Sequence, residues 1–338
     1  MSAQTSDMDA FLATTDWADA ERDALLGDAS SRRYVRLYRG GETALLLIQP
    51  DTGETSDYAV AAKLADGDPL AVAALTRQLA QRGFSAPNIL ASDLAGGFIL
   101  MEDLGDDLFA RVLAHSPSRE AELYGQAVDL LAAIYRSSFP RDMDFQGATW
   151  TVGDYGEDVL LTEADLLLDW YAPHIGMENR DREGWHSAWR ESLKALDIHA
   201  PGLVLRDFHA ENIFALDREF EASVGLIDYQ DALFGHPAYD LVSLLQDARR
   251  DVDRDVEAQA IGRFCHRARI AQNDDFRAAY AVLGAQRAAK ILGIFVRLAK
   301  RDGKPRYLDM LPRVEAHFRR NLEHPALAPV AAWWEAHR

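Results

Sequence analysis

The stretch VLRDFHAENIFAL, residues 204–216, decides how the rest of the sequence is understood. Two apolar, strand-like runs enclose a short polar connection. Five side chains able to carry chemistry lie in or beside that connection: Arg206, Asp207, His209, Glu211 and Asn212. Short apolar runs bounded by polar turn residues are typical of buried strands. We therefore expect a unit of strand, loop and strand that presents its polar groups from one tight loop.

Asp207 and Asn212 have the spacing D-x-x-x-x-N, which in protein kinases carries a catalytic base and a magnesium ligand. The chain has 36 aspartates and 5 asparagines. About half a match is therefore expected by chance, and the spacing alone is weak. Asp228 strengthens it, because this residue ends the later apolar run GLID. The three residues predict a phosphoryl-transfer site, and the alternative is that they only cap turns at strand ends.

The chemistry of phosphoryl transfer explains why these residue types are needed. Negative charge concentrates on the phosphates, so hard oxygen ligands must hold Mg²⁺. Asn212 and Asp228 supply such oxygens. A carboxylate at Asp207 would accept the proton of the acceptor hydroxyl and orient its oxygen. The sequence has no G-x-x-x-x-G-K-[ST] motif, so it is not that of an ordinary P-loop kinase.

The composition limits the partners of the protein. It has 338 residues, a formal net charge of −18 and a sequence pI near 4.9. Binding to nucleic acid or to an anionic membrane needs a concentrated basic surface, so we expect neither partner. Cys265 is the only cysteine and the first residues do not resemble a secretion signal. We therefore expect a cytoplasmic protein, and its oligomeric state is left open.

The pattern of apolar residues divides the chain into a β-rich first part and a helical remainder. The first part has predicted strands around a Gly40-Gly41 turn, then a helix and two more strands. These elements cover residues 34–39, 43–48, 69–82 and the runs APNILASD and FILMEDLG. We predict an α+β fold of two lobes, a β-rich N-lobe at residues 1–103 and a mainly helical C-lobe at residues 104–338.

One helix of the second part is predicted at residues 162–171. Thr162 and Asp165 have the spacing of a capping box, in which two side chains satisfy free backbone N–H groups at a helix start. We therefore expect this helix to begin at Thr162.

Several motifs resemble one enzyme family. The runs LRDFHAEN and LIDYQ resemble the aminoglycoside phosphotransferase-like kinases, whose loop usually reads H-G-D-x-x-x-x-N. One subgroup of them phosphorylates the anomeric C1 hydroxyl of N-acetylmuramate and N-acetylglucosamine in peptidoglycan recycling. The runs similar to that subgroup are ASSRRYVRL, ILMEDLGD, LRDFHAENI and GLIDYQDALFGHPAYDLVSLLQDARRDV. The resemblance covers residues 28–252. It implies a two-lobed, protein-kinase-like fold that binds ATP and Mg²⁺.

The resemblance also implies roles for single residues. Asp207 would be the catalytic base, Asn212 and Asp228 would hold Mg²⁺, and Asp240 would brace the loop from the next helix. Backbone groups of a hinge would meet adenine, and a loop near the first strands would cover the phosphates. The nucleotide-binding residues expected in this way are Ser31, Arg32, Arg33, Met101, Glu102 and Leu104.

Two positions depart from the family pattern. Leu205 stands where the family has histidine, which allows an apolar side chain to pack beneath the loop. The strand TALLLIQPD lacks the lysine that kinases use to bind the α- and β-phosphates. Arg32 and Arg33 are our candidates for that function, because guanidinium groups bind phosphate in a bidentate manner. Lys63 is the further candidate.

The acceptor is predicted from polar residues around the base. His209, Glu211, Gln230 and Asp231 offer donors and acceptors suited to sugar hydroxyls, unless they serve only to hold the loop backbone. Trp170 either stacks on a sugar ring or belongs to the core. We predict an amino sugar as substrate. An aminoglycoside or amino-alcohol kinase, whose cationic acceptor suits the net charge better, is one alternative; a catalytically weak nucleotide-binding regulator is the other.

Overall fold

The computed structural model describes residues 3–25, 32–49, 56–65 and 67–338. Ser31, one of the predicted nucleotide-binding residues, lies outside these ranges. The fold class is α+β, as predicted, because an antiparallel sheet comes first and helices form most of the remainder. The boundary that we predict between residues 103 and 104 stays a prediction.

The first sheet has five antiparallel strands in the order β1-β2-β3-β5-β4. They are β1 (Glu21–Leu25), β2 (Arg33–Arg39), β3 (Glu42–Ile48), β4 (Ile89–Asp93) and β5 (Phe98–Glu102). The predicted hairpin is confirmed, since β2 and β3 pair around Gly40 and Gly41. Their φ angles of 55° and 88° fit a two-residue turn that few other residue types adopt.

Helices and short two-stranded ladders make up the rest of the fold. The helices are α1 (Ala3–Leu12), α2 (Asp57–Ala61), α3 (Pro69–Ala80), α4 (Phe109–His115), α5 (Glu120–Arg136), α6 (Glu157–Leu166), α7 (Ala172–His174), α8 (Arg182–Leu193), α9 (Ala238–Leu245), α10 (Arg254–Ala268), α11 (Asp274–Lys300), α12 (Leu311–Leu322) and α13 (Ala328–His337). The remaining strands are β6 (Asp142–Phe145), β7 (Ala148–Thr151), β8 (Gly202–Val204), β9 (Ile213–Ala215), β10 (Val224–Leu226) and β11 (Leu233–Gly235).

The two faces of the five-stranded sheet have different neighbours. On the outer face, Leu37 and Leu46 pack with Phe11 of α1 in a small core of their own. On the inner face, Leu47 and Met101 join the main core. Because successive side chains of a strand point to opposite faces, the position of a residue along β2 or β3 decides which core it meets.

Helix α11 is the central element of the main core. It packs against α6, α9 and α12, and against a π-helical turn at Leu167–Tyr171. Within the described ranges it is the one helix long and apolar enough to cross a membrane, with a mean hydropathy of 1.3 over its most apolar window. Inside this fold 89% of that window is buried, as in the core helix of a globular protein.

The predicted start of the helix at Thr162 is wrong. Helix α6 begins at Glu157, after Gly156, so Thr162 lies in its interior. The Thr162 hydroxyl donates to the Asp158 carbonyl at 2.8 Å, one turn earlier, and caps nothing. The acidic first turn of Glu157 and Asp158, which suits the positive end of the helix dipole, was the better start signal.

The hairpin of β6 and β7 was missed. Its strands, DMDF and ATWT, are short and only partly apolar, so they lack the long alternating pattern that predicts a strand. The turn Gln146-Gly147 has φ angles of 49° and 85°, and X-Gly turns of this kind were a usable signal.

Gly293 sets the distance between α11 and α6. A Cβ atom at this position would lie 2.1 Å from the backbone carbonyl oxygen of Leu166. The two helices therefore approach backbone to backbone. This approach allows Lys290 of α11 to reach Glu163 of α6, with a distance of 2.7 Å between Nζ and Oε1.

We predict that Gly293→Ala destabilises the protein by about 3 kcal/mol, because overpacking against a backbone carbonyl forces the helices apart. Urea denaturation measures this difference. The matched control is Gly125→Ala on α5, where the nearest atom to the new Cβ is the flexible Arg263 guanidinium at 3.2 Å. That variant should be neutral or up to about 1 kcal/mol more stable, since alanine favours a helix. Equal stabilities of the two variants would contradict the prediction.

Candidate active site

The predicted unit of strand, loop and strand is confirmed. Residues 205–212 join β8 to β9, and these strands pair with β11 and β10 respectively. Asp228 follows β10 by two residues and has a left-handed backbone, with φ of 64°. The Ile227 N–H donates to the Asn212 carbonyl at 3.2 Å. The two short ladders therefore bring the loop and the residue after β10 to the same place.

Asp207, Asn212 and Asp228 meet in this loop. The Asn212 side-chain amide donates to the Asp207 carbonyl at 3.0 Å and to the Asp228 carboxylate at 3.4 Å. Burial alone would raise the pKa of Asp207, but the positive charges of Lys290 and Arg287 help to hold that pKa below its usual range. Burial raises the pKa of Asp228, against the effect of Arg32.

The donor set fits a magnesium ion. Asn212 and Asp228 each carry a hard oxygen, and their side chains are in contact. Mg²⁺ usually takes one or two protein ligands and completes its shell with phosphate oxygens and water. Among residues for which the structure gives positions, no group of three or more His, Cys, Asp or Glu is arranged to hold a metal alone. The site therefore suits a cation that arrives with phosphate.

Asp240 braces the loop from the first turn of α9. Its two carboxylate oxygens accept the backbone N–H groups of Leu205 and Arg206, at 2.7 and 2.9 Å. Burial raises the pKa of Asp240 to about 7, and the two N–H donors oppose that shift. Leu205 is buried and belongs to the main core, so an apolar side chain does pack beneath the loop.

The sequence placed Arg206 on the loop but did not indicate its role. It occupies the place of the family's glycine and keeps a left-handed backbone, with φ of 71°. Its side chain is buried, with the Cζ atom 4.9 Å from the centre of the Tyr155 ring. The guanidinium donates to the carbonyls of Ala62 and Asp231, each at 3.2 Å, and binds the Glu163 carboxylate. The catalytic loop is thereby tied to three other segments.

Glu163 is the centre of a buried charge network. Besides Arg206, its carboxylate binds Lys290 at 2.7 Å and accepts hydrogen bonds from Tyr155 and from Gln286. Two cations and one carboxylate leave a net positive charge behind the loop. Burial would raise the pKa of Glu163, yet Lys290 and Arg206 outweigh it and lower that pKa to about 2. The available sequence signal was a glutamate at helical spacing from Leu160 and Leu166, on the apolar face of the helix.

The two arginines predicted to bind phosphate lie on opposite sides of the sheet. Arg32 points into the site, where its guanidinium pairs with Asp228 at 2.8 Å and also contacts Gln230. Arg33 is exposed and, by the alternation along β2, shares the outer face with Leu37. The further candidate, Lys63, has its ammonium on Asp158 and on the Asp154 carbonyl, both at 3.1 Å. Arg32 is therefore the candidate that the structure brings to the site.

The polar residues predicted to bind the acceptor are largely engaged with the protein itself. His209 is buried, accepts the Glu211 N–H at 3.3 Å, and has a pKa lowered by burial to about 4. Asp231 accepts the Ala65 N–H at 2.6 Å, and Gln230 donates to Asp231 at 3.2 Å. These contacts favour the alternative in which such residues hold the loop and its neighbours.

Glu211 and Trp170 complete the predicted acceptor set. The Glu211 carboxylate binds Arg249 at 2.7 Å, at the edge of the loop. Trp170 lies on the π-helical turn, half-buried against the main core. In the described ranges no hydrogen bond or ring contact joins Trp170 to the loop, which favours its core alternative.

The predicted hinge begins with the last two residues of β5, Met101 and Glu102, and continues to Leu104. Met101 is buried on the inner face, whereas the Glu102 N–H is already used by the Asn88 carbonyl at 2.8 Å. The Leu104 N–H has no hydrogen-bond partner among the described residues. Arg36 of β2, which the sequence did not indicate, binds Asp103 at 2.7 Å and fixes the segment. Leu104 is therefore the better placed of the two predicted backbone contacts to adenine.

A family model described as the phosphotransferase enzyme family matches residues 22–289. The chain belongs to this phosphotransferase family. The phosphotransferase is 37% identical to the "N-acetylmuramate/N-acetylglucosamine kinase" of Caulobacter vibrioides, over 96% of this chain and 94% of the relative. The family resemblance predicted from the sequence motifs is thus confirmed.

Solved structures show the same fold at low identity. A choline/ethanolamine kinase family protein from Mesorhizobium loti superposes with a TM-score of 0.61 at 16% identity, covering 97% of this phosphotransferase and 99% of that chain. An ADP-bound aminoglycoside phosphotransferase superposes with a TM-score of 0.56 at 12% identity, covering 93% and 97%. At such identities the likeness concerns the fold alone.

We predict that Glu163→Gln lowers the free energy of unfolding by about 3 to 5 kcal/mol, because it leaves Lys290 and Arg206 buried without their anion. Urea denaturation at neutral pH measures the loss. The control is Glu122→Gln, which removes an exposed partner of Arg119 and should change stability by less than about 0.5 kcal/mol.

The same variant gives a test in acid. The folded pKa of Glu163 is lowered from 4.5 to about 2, so its contribution is complete above pH 4.5 and is lost as the pH falls toward 2. The stability difference between the native protein and Glu163→Gln should shrink over that interval. A difference that is independent of pH would contradict the network.

Proposed function

We propose that this phosphotransferase uses ATP to phosphorylate the anomeric C1 hydroxyl of N-acetylmuramate and N-acetylglucosamine, and that it serves peptidoglycan recycling in the cytoplasm. One observation carries the proposal: a loop that joins Asp207, Asn212 and Asp228, in a chain 37% identical to a kinase of that name. A pure nucleotide-binding regulator would not need the base.

Asp207 acts as the base in this proposal. Its side chain is half-buried, and the positive charges around it keep it ionised, so it is ready to accept a proton. It takes the proton of the sugar hydroxyl as the oxygen attacks the γ-phosphorus, and it holds that oxygen in line. The bond from the γ-phosphorus to the β–γ bridging oxygen breaks, and ADP leaves. Asp240 and the side chain of Arg206 fix the loop on which the base stands.

Asn212 and Asp228 would hold Mg²⁺, which neutralises charge on the phosphate oxygens when it is bound. Arg32 stands beside Asp228 and is proposed to bind the phosphates in place of the missing lysine. The N–H of Leu104, which has no partner among the described residues, is proposed to bind adenine.

An ADP-release assay tests the substrate. Purified protein with Mg·ATP is offered N-acetylmuramate, N-acetylglucosamine, their 1-O-methyl glycosides, kanamycin and choline. Turnover of the free sugars and none of the glycosides supports a C1 kinase. Turnover of the glycosides would place the phosphate on another hydroxyl. Turnover of kanamycin or choline alone would favour the other small-molecule kinases, and no turnover at all would favour the regulator.

We predict that Asp207→Asn lowers kcat by about 10² to 10⁴-fold, which corresponds to about 3 to 5 kcal/mol of barrier, since the amide cannot accept the proton. Steady-state kinetics on the accepted sugar measure kcat, and calorimetric binding of ATP should be unchanged. Asp217→Asn, at an exposed position after β9, is the control and should retain native turnover. Native turnover in Asp207→Asn would exclude this residue as the base.

The two arginines form a second matched pair. We predict that Arg32→Met raises the KM for Mg·ATP about tenfold or more, the usual value of a charged hydrogen bond. Arg33→Met should leave that KM within about twofold of native, because exposed surface changes are usually small. Initial rates over an ATP titration at saturating sugar give both values. A raised KM for Mg·ATP in Arg33→Met alone would assign phosphate binding to Arg33 instead of Arg32.

A further inference from the structure

Arg287 of α11 is a buried cation that pairs with no anion among the described residues. Only 5% of its surface is exposed. Within the part of the chain that the structure describes, it makes no hydrogen bond and no ion pair. Two other buried cations, Lys290 and Arg206, both bind Glu163. The carboxylates of Asp207 and Asp240 interact with its charge electrostatically but do not pair with it. A buried guanidinium group without a directly paired anion is costly, so the position of Arg287 favours a ligand.

The geometry of α11 directs Arg287 toward the catalytic loop. Arg287 and Lys290 are three residues apart and therefore share one face of the helix. Lys290 on that face reaches the network behind Arg206. The positive charge of Arg287 also helps to lower the pKa of Asp207 against the effect of burial. Its nitrogens are not among the fully sealed polar atoms, so the small exposed area includes the guanidinium.

The other charged groups of this region have partners of their own or are sealed. Arg249 binds Glu211 at 2.7 Å, and its guanidinium lies 3.4 Å from the His209 ring. Asp247 accepts the Arg249 N–H at 2.8 Å through one oxygen, and its other oxygen is fully buried. Arg287 is therefore the cation of this region that is left to meet an incoming anion.

We propose that Arg287 binds the carboxylate of the acceptor sugar, and so distinguishes a carboxylate-bearing amino sugar from a neutral one. This inference rests on the proposed function. The phosphate side of the site already has Arg32, which pairs with Asp228. Arg287 instead acts on the side of Asp207 and His209, where the acceptor hydroxyl must lie. In N-acetylmuramate the lactyl group carries such a carboxylate, whereas N-acetylglucosamine has none.

A buried cation at the site would also offset the repulsion between the negatively charged protein and an anionic sugar. A formal charge of −18 repels an anionic sugar at long range. A guanidinium held in a low-dielectric crevice binds a carboxylate far more strongly than an exposed one does, because water competes less. One buried arginine can therefore select an anion that the overall field disfavours.

The first test uses the native protein and needs no variant. KM is measured for N-acetylmuramate, for its carboxyl methyl ester and for N-acetylglucosamine. We expect the ester to have a KM about tenfold or more above that of the free acid, as for the loss of one charged hydrogen bond. Equal KM values for acid and ester would overturn the inference, since esterification removes the charge and leaves the sugar intact.

The second test asks whether the difference in KM between acid and ester depends on Arg287. In Arg287→Met the acid and the ester should have the same KM, while the KM values for N-acetylglucosamine and for ATP stay within about threefold of native. Arg287→Lys keeps a charge and should retain part of the preference for the acid. Arg277→Met, on an exposed residue of α11, is the matched control and should behave as native.

The outcomes separate this inference from the proposed function. Equal increases in the KM for both sugars in Arg287→Met, or a change in the KM for ATP alone, would assign Arg287 to loop positioning or to phosphate and overturn the inference. A fall in kcat shared by both sugars is instead expected from the loss of a positive charge near Asp207, so the ratio of the KM values for acid and ester is the measure that decides. Turnover of both sugars without discrimination between acid and ester would overturn it and leave the proposed function standing. No turnover of either sugar by the native protein would overturn both.

Discussion

The buried contact between Arg206 and Glu163 is the interaction on which the candidate site depends. A left-handed backbone at a residue other than glycine costs about 1 to 3 kcal/mol, and burying a charge costs more. Both costs are offset because Glu163, two carbonyl oxygens and the Tyr155 ring surround the guanidinium. The Arg206 side chain thereby stabilises the left-handed backbone conformation of this residue, and that conformation sets the direction in which the next residue, Asp207, leaves the loop.

Two independent constraints act on the same short segment. Asp240 holds the backbone N–H groups of Leu205 and Arg206 from α9, whereas Glu163 holds the Arg206 side chain from α6. Lys290 adds α11 to the same carboxylate, and the close approach at Gly293 makes its reach sufficient. Three helices thus fix the loop. The positive charges of Lys290, Arg287 and Arg206 favour the ionised form of the neighbouring base.

The sequence predicted the parts of this site that depend on local pattern. The short apolar runs and the D-x-x-x-x-N spacing placed Asp207 and Asn212 on one loop, and the family motif led to Asp240. The Arg206 network was not predictable in this way, because Glu163 and Lys290 lie far away in the chain. A pattern of apolar residues does not say which buried charges will meet. Arg32 and Arg33, by contrast, were separable from the alternation of β2 alone.

The position of Arg32 shows how the fold compensates for the missing lysine. The inner face of β3 is apolar, with Leu47 in the main core and Leu45 packed against it, so a cation there would lose that packing. The positive charges come instead from β2 and the residue before it: Arg36 of β2 binds Asp103 at the hinge, and Arg32 binds Asp228.

These two arginines are four positions apart in an extended segment, which is about 13 Å at 3.3 Å per residue. One extended segment therefore connects the hinge, through Arg36 and Asp103, to the predicted metal ligand, through Arg32 and Asp228. The contact to phosphate is also joined to the metal ligand, because the same guanidinium touches Asp228. In an ordinary kinase arrangement the phosphate-binding lysine and the metal-binding aspartate are set by separate elements. Here a displacement of β2 would move both ends together.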